Sequence, residues 1–218
     1  NSKYNCQIKT IDLEKKELID FNNFTHKFDN LISSLPLTEI CKMIKNIPKE
    51  VREASLKLKH TSGFIISLGF NKPNIPKHLW FYIYDENIPV ARVYSPSLKS
   101  KNNVPKGCSS IQAELYFDYK NVSNYKKEDL LENTINKFIE MGLFCRDDIL
   151  VKDIRCEKYA NVIFDHNIYL NRKIVLDYLN KNDVISIGRF GEWDYFWSDQ
   201  SMISGRNGAI QLIKNLEN

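Results

Sequence analysis

Val184-Ile185-Ser186-Ile187-Gly188-Arg189-Phe190-Gly191-Glu192-Trp193-Asp194-Tyr195-Phe196-Trp197-Ser198-Asp199-Gln200-Ser201-Met202-Ile203-Ser204-Gly205 carries the densest information in this chain. A short apolar run, 184–187, reads as a buried strand that stops at a glycine. The segment 188–198 reads as a loop bearing Arg189, Glu192 and several aromatics. A helix is expected from about Asp199 to Leu216. At such a start the first backbone N–H groups, around Gln200, Ser201 and Met202, lack intrahelical acceptors, and the helix dipole favours an anion or a polar ligand group there. Gly205 and Gly208 each cost about 1 kcal/mol relative to Ala inside a helix, so they are expected to permit close approach of another backbone or a cofactor. A plainer reading has Asp199 merely capping the helix while the aromatics fill a corner of the core.

Upstream, the segments 6–11, 16–19 and 28–35 read as three short strands of an antiparallel meander. Two helices should follow Pro36 and Pro48, with Leu37, Ile40, Cys41 and Ile44, and then Val51, Ala54 and Leu58, at helical spacing. Residues 61–117 change character, and the segments 62–70, 78–84, 90–94 and 110–119, rich in Ile, Val, Phe, Tyr and Trp, read as strands of a sheet. An amphipathic helix over 126–141 ends at Gly142. Strands at 149–154 and 160–164 and a helix over about 170–179 complete the pattern. The fold class is therefore α+β: an antiparallel sheet with flanking helices, plus a closing strand-loop-helix unit.

Composition narrows the possibilities. The chain has 218 residues, 43% hydrophobic and 27% charged, which is the balance of a packed globular protein. A net charge of +4 is far from the clustered basic face of a nucleic-acid binder, and no apolar run reaches the roughly 20 residues of a membrane span. Five widely spaced cysteines without a C-x-x-C pair point to a reducing, cytoplasmic setting. The four histidines, His26, His60, His78 and His166, show no ligand spacing, so no metal is expected. None of the 8 glycines builds G-x-G-x-x-G or a P-loop.

The run Gly188 to Tyr195, followed by Asp199-Gln200-Ser201 and Ser204-Gly205, resembles the C-terminal FAD-contacting motif of the protoporphyrinogen oxidase and amine oxidase-like flavoproteins, of which UDP-galactopyranose mutases carry a related version. Three upstream segments strengthen the resemblance: Leu31-Ile32-Ser33-Ser34-Leu35-Pro36-Leu37, Ile88-Pro89-Val90-Ala91-Arg92-Val93, and Pro105-Lys106-Gly107-Cys108-Ser109-Ser110-Ile111-Gln112-Ala113-Glu114. Together they span Leu31 to Gly205.

The resemblance implies an FAD-dependent oxidoreductase, acting on a sugar-nucleotide or similar polar small molecule. Gly188 would end the strand near the cofactor, with Arg189 and Glu192 in the cofactor loop. Trp193 and Tyr195 would shape the flavin pocket, and Asp199, Gln200, Ser201 and Met202 would meet the ribityl and pyrophosphate region. The missing glycine-rich loop then implies an absent N-terminal segment of the same protein as partner, without which this chain alone is expected to be inactive. The implied division is a remnant of the FAD-binding domain over 1–35, a substrate domain over 36–180, and the FAD-contacting unit over 181–218.

In the substrate domain, Trp80, Tyr82 and Tyr84 should share one strand face by their period of two. With Arg92 and Tyr94 they suit a flat or sugar-like substrate with an anionic group, since Arg can grip a phosphate or carboxylate with two prongs. The same aromatics could instead pack under helices. Two other functions are carried alongside: a mutase-like isomerase using reduced flavin, and a binding domain that keeps the scaffold without redox activity.

Overall fold

The computed structural model describes residues 2–217; Asn1 and Asn218, which end the first and last expected domains, lie outside the described residues. In chain order the elements are β1 (Ile8–Asp12), β2 (Glu17–Asp20), β3 (Thr25–Lys27), β4 (Leu31–Ser33), α1 (Leu37–Met43), α2 (Lys49–Lys57), β5 (His60–Phe70), β6 (Trp80–Tyr82), β7 (Arg92–Tyr94), α3 (Pro96–Lys99), β8 (Ser109–Asp118), α4 (Lys127–Glu140), β9 (Ile149–Val162), α5 (Ile168–Lys181), β10 (Val184–Ser186), α6 (Gly188–Gly191) and α7 (Ser198–Glu217). The described residues form two compact units, one of residues 2–59 with 162–217 and the other of 60–161. These boundaries lie elsewhere than 35/36 and 180/181, because α2 packs on α5 while α1 packs on α2 and β1, which keeps both helices in the first unit.

In the first unit β1, β2 and β3 form the antiparallel meander, with Ile11 opposite Leu18 and Leu18 opposite His26. Its third strand is 25–27 rather than 28–35. The segment 28–35 instead supplies β4, which pairs in parallel with β10: Leu31 with Val184, Ile32 with Ile185, Ser33 with Ser186. Tertiary pairing overrode local order here, since Val184 and Ile185 are buried and need a neighbour to satisfy their backbone. Pro36 and Pro48 stand just before α1 and α2, and the helices bury Leu37, Ile40 and Cys41, then Val51 and Ala54. α5 adds Val175 and Leu179, both fully buried.

The second unit is built on a sheet of order β6-β7-β8-β5-β9. β5 and β8 pair antiparallel over ten residues, from Thr61 opposite Asp118 to Phe70 opposite Ser109. One sheet face supplies Phe64, Ile66, Leu68, Val93, Ile111, Ala113 and Leu115, which form a core with Leu130, Leu131, Ile135 and Phe138 of α4. Burying each such side chain stabilises the unit by about 1.5–3 kcal/mol. α4 ends as expected at Gly142, whose φ of +72° suits the left-handed residue after a helix. The two strands expected at 149–154 and 160–164 are one long strand, β9. No helix among the described residues is long and apolar enough to cross a membrane.

Candidate functional site

In the first unit the β10 backbone ends where the Ile187 N–H donates to Ser33 O at 2.9 Å. Gly188 follows at φ +78°, and a side chain there would meet nothing within 4 Å, so a backbone turn and an open flank coincide. The expected loop opens with one helical turn, α6, closed by Glu192 N–H to Gly188 O at 2.8 Å. Gly191 lets that turn lie on the end of β4, since a Cβ would come 3.1 Å from Ser33 O. Trp193 then takes φ +55°, uncommon for a bulky residue. It is fully buried, with its ring edge-on to Phe190 at 6.1 Å. Asp194 anchors the next step through Arg172 Nη1 at 2.6 Å.

The residues read as cofactor-facing separate into two groups. Glu192 is held internally: the Ser204 hydroxyl donates to its Oε1, and the Gly188 N–H donates to Ser204 Oγ at 2.7 Å. Glu192 and Trp193 therefore brace the loop from within, and Trp193 offers no open face. The surface is supplied instead by Tyr195, Asp199, Gln200 and Met202, all exposed, with Ser201 partly so. Arg189 lies with its guanidinium 4.7 Å from the centre of the Tyr195 ring, a cation–π contact that orients both.

α7 begins one residue earlier than expected, at Ser198, and Asp199 is in its first turn rather than at its cap. The capping contact comes from Gln200, whose Oε1 accepts the Trp197 N–H at 2.8 Å, while Ser201 N–H closes the first helical bond to Trp197 O. This is one half of a capping box, with Gln at its third helical position. The N–H groups of Ser198, Asp199 and Gln200 precede the first helical bond and have no intrahelical acceptor. Further along, Gly208 allows α7 to approach the end of β10, where a Cβ would stand 2.5 Å from Ile187 Cγ2.

The second unit brings its four predicted substrate residues onto one sheet face. Trp80 pairs with Tyr94 and Tyr82 with Arg92, and Arg92 and Tyr94 pair in turn with Glu114 and Gln112 of β8. Residues directly opposite share a face, so Trp80, Tyr82, Arg92, Tyr94, Gln112, Glu114 and Tyr116 stand together, opposite the core side. Trp80 is 58% exposed and Tyr82 53%, which overturns packing under a helix for these two. Tyr84 lies beyond the strand, its ring 6.4 Å from that of Tyr82.

Arg92 has its fork filled by the chain itself. Its Nη2 and Nε donate to Glu114 Oε1 and Oε2 at 2.6 and 3.1 Å, so a two-pronged grip on a ligand anion would require displacing Glu114. The pairing holds the Arg92 proton more firmly than usual, chiefly through the hydrogen bond to Glu114. Tyr116 donates its hydroxyl to Glu114 Oε2. Burial first, and that hydrogen bond second, push its pKa up to about 12. Glu114, Gln112 and Ser204 lie in the segments that carry the resemblance but received no role of their own from the sequence, and Tyr116 lies outside them. A cross-strand register for β7 and β8 was the signal that could have found Glu114, Gln112 and Tyr116, because it sets Glu114 opposite the one arginine of β7.

No protein-family model matches the chain, and no curated protein does. Solved structures do. Reduced UDP-galactopyranose mutase superposes with a TM-score of 0.78 at 23% identity, over 87% of this chain and 41% of that one. A protein from Exiguobacterium assigned as a protoporphyrinogen oxidase gives 0.68 at 10% identity, over 93% and 44%. A fatty acid isomerase from P. acnes that produces CLA gives 0.60 at 13%, over 88% and 45%. This chain spans less than half the length of each. The resemblance read over residues 31–205 is thus matched by structure: the chain has the fold of a portion of the mutase, oxidase-like and isomerase chains.

Proposed function

We propose that this chain is the substrate-binding and cofactor-closing portion of a larger FAD-dependent oxidoreductase of the amine oxidase-like kind. The observation that carries the reading is the β10–Gly188–α7 unit. It combines an open backbone turn at Gly188, a helix start with free N–H donors, and exposed Tyr195 beside them. Its donor set fits a polar, anionic cofactor edge, because the first N–H groups of α7 and the positive end of its dipole face outward. FAD, when bound, would supply the electron chemistry. The chain's own residues would hold and orient it: Ser198 and Gln200 through backbone donors, Asp199 through its N–H and through its carboxylate as an acceptor for ribityl hydroxyls, Ser201 and Met202 by contact, and Arg189 and Tyr195 from the loop. Glu192 and Trp193 would act by bracing that loop.

The substrate would lie on the open sheet face of the second unit. Trp80, Tyr82 and Tyr94 offer flat surfaces for a sugar or a base, and Gln112, Glu114 and Tyr116 offer hydrogen bonds. A mutase-like isomerase on a sugar nucleotide is the finer alternative, favoured by a TM-score of 0.78 to the mutase against 0.68 and 0.60. The N-terminal part of the same protein is the expected partner, since the matched chains are more than twice as long as the region this chain covers.

The test is the visible absorbance of the full-length protein after incubation with FAD. A flavin band that survives gel filtration is expected. A full-length protein without flavin, or one whose upstream sequence holds no glycine-rich strand-turn-helix, would leave a binding domain as the better reading. Conversion of a sugar nucleotide to an isomer only when the flavin is reduced, with the flavin still reduced afterwards and no electron acceptor consumed, would single out the isomerase.

A further inference from the structure

The meander of the first unit brings together three side chains that sequence spacing keeps apart. Cys6 precedes β1, Asp20 ends β2, and His26 is the middle residue of β3. Cys6 Sγ lies 3.7 Å from Asp20 Oδ2 and 3.7 Å from His26 Nε2, and the last two atoms are 3.0 Å apart. All three therefore converge on one point. A relay of Cys, His and Asp would use both ring nitrogens, with the thiol at one and the carboxylate at the other. Here Sγ and Oδ2 meet the same nitrogen, Nε2, so the arrangement is that of ligands rather than of a nucleophile and its base.

We infer that Cys6, Asp20 and His26 form a binding site for one divalent transition-metal ion of the zinc type. Bond lengths of about 2.0–2.3 Å to sulfur, nitrogen and oxygen at tetrahedral angles put ligand atoms roughly 3.4–3.6 Å apart. The observed triangle differs from that by a few tenths of an ångström. The carboxylate is already aimed: Asp20 Oδ1 accepts the N–H groups of Asn22 and Phe24, each at 2.9 Å, which leaves Oδ2 for the cluster. Asp20 is buried while Cys6 and His26 are partly exposed, so an ion can enter from solvent and keep its fourth position for water. The chain's own Lys3 ammonium stands 3.5 Å from Nε2, a cation beside the place where the ion would lie. A thiolate and an imidazole select zinc-like ions over calcium or magnesium, which want oxygen alone. The spacing of the histidines gave no hint of this, because each ligand comes from a different part of the meander.

The test is a titration of the reduced, chelator-treated full chain with Co(II), followed by displacement with Zn(II). A thiolate-to-cobalt charge-transfer band saturating at one equivalent is expected. Cys6→Ala should abolish it, and His26→Gln should weaken binding by more than the roughly tenfold that loss of a ligand's hydrogen-bonding neighbour costs. Zn(II) should raise the melting temperature of the parent chain and not of Cys6→Ala, since an ion that binds only the folded state stabilises it. Circular dichroism of both variants checks that they fold. No charge-transfer band, or one that persists in Cys6→Ala through Cys145 or Cys156, would overturn the site.

Discussion

The N–H of Gly188 donates to the hydroxyl of Ser204 at 2.7 Å, tying the end of β10 to the second turn of α7. Because the same hydroxyl donates to Glu192, one buried atom fixes both ends of the turn that positions the loop. Ser204→Ala leaves the partly buried Gly188 N–H without its acceptor and the Glu192 carboxylate without its donor. A loss of about 1–3 kcal/mol is expected in urea unfolding of the chain. Ser204→Thr keeps the hydroxyl and should recover part of it. An unchanged midpoint for Ser204→Ala would show that water replaces the bridge at no cost.

The start of α7 separates two roles that the sequence combined in Asp199. Gln200 makes the backbone contact to Trp197, whereas Asp199 is exposed in the first turn. Gln200→Ala should therefore lower stability by about 1 kcal/mol, the usual scale of a lost helix cap. Asp199→Ala should change stability by no more than the roughly 0.3–1 kcal/mol of an exposed charge at a helix start. In the full-length protein the order should reverse for flavin retention, measured as bound absorbance after gel filtration. Equal flavin content in Asp199→Ala and the parent would remove Asp199 from the cofactor contacts.

The first of these contrasts shows where sequence reasoning stops. The helix after residue 197, the glycine at the strand end and the shared face of Trp80 and Tyr82 within their own strand follow from local rules of propensity and period. Which strand meets which does not. Nothing local says that Leu31 pairs with Val184, some 150 positions away, so local rules place 28–35 in the meander. That the loop aromatics fill a corner of the core is one of the two local readings, but only the left-handed turn at Trp193 shows that this ring is buried while Tyr195 and Trp197 stay exposed. A charged residue within an apolar strand must find a partner, and only the register of β7 on β8 shows that for Arg92 it is Glu114.

The Arg92–Glu114–Tyr116 group makes a prediction for alkaline pH. Tyr116 has a folded pKa raised from 10.0 to about 12, by burial first and then by the Glu114 hydrogen bond. The folded state therefore keeps a proton that the unfolded chain has released between these values. Stability from this group is fully present below about pH 10 and is lost as pH rises through about 12. Tyr116→Phe should flatten the fall in melting temperature over that window, and Glu114→Gln should reduce it less, since burial is the larger cause. The same slope in Tyr116→Phe as in the parent would place the alkaline transition on other groups.

Gly205 and Gly208 sit three residues apart in α7, yet substitution should act on them with opposite sign. A Cβ at Gly205 would have Ile187 Cδ1 at 4.0 Å, ordinary contact with the far end of a side chain. Gly205→Ala should thus stabilise the chain by roughly 0.5–1 kcal/mol through helix propensity and a stiffer unfolded state. A Cβ at Gly208 would stand 2.5 Å from Ile187 Cγ2 and 3.3 Å from Ile185 Cγ2, methyls on branched residues with little freedom to move. The overpacking cost, about 1–3 kcal/mol, exceeds the helical gain, so Gly208→Ala should destabilise. Removing the obstructing methyl tests the cause: in an Ile187→Ala background the penalty of Gly208→Ala should shrink or change sign. Additive effects in that cycle would mean that α7 and the end of β10 are not packed as closely as Gly208 implies.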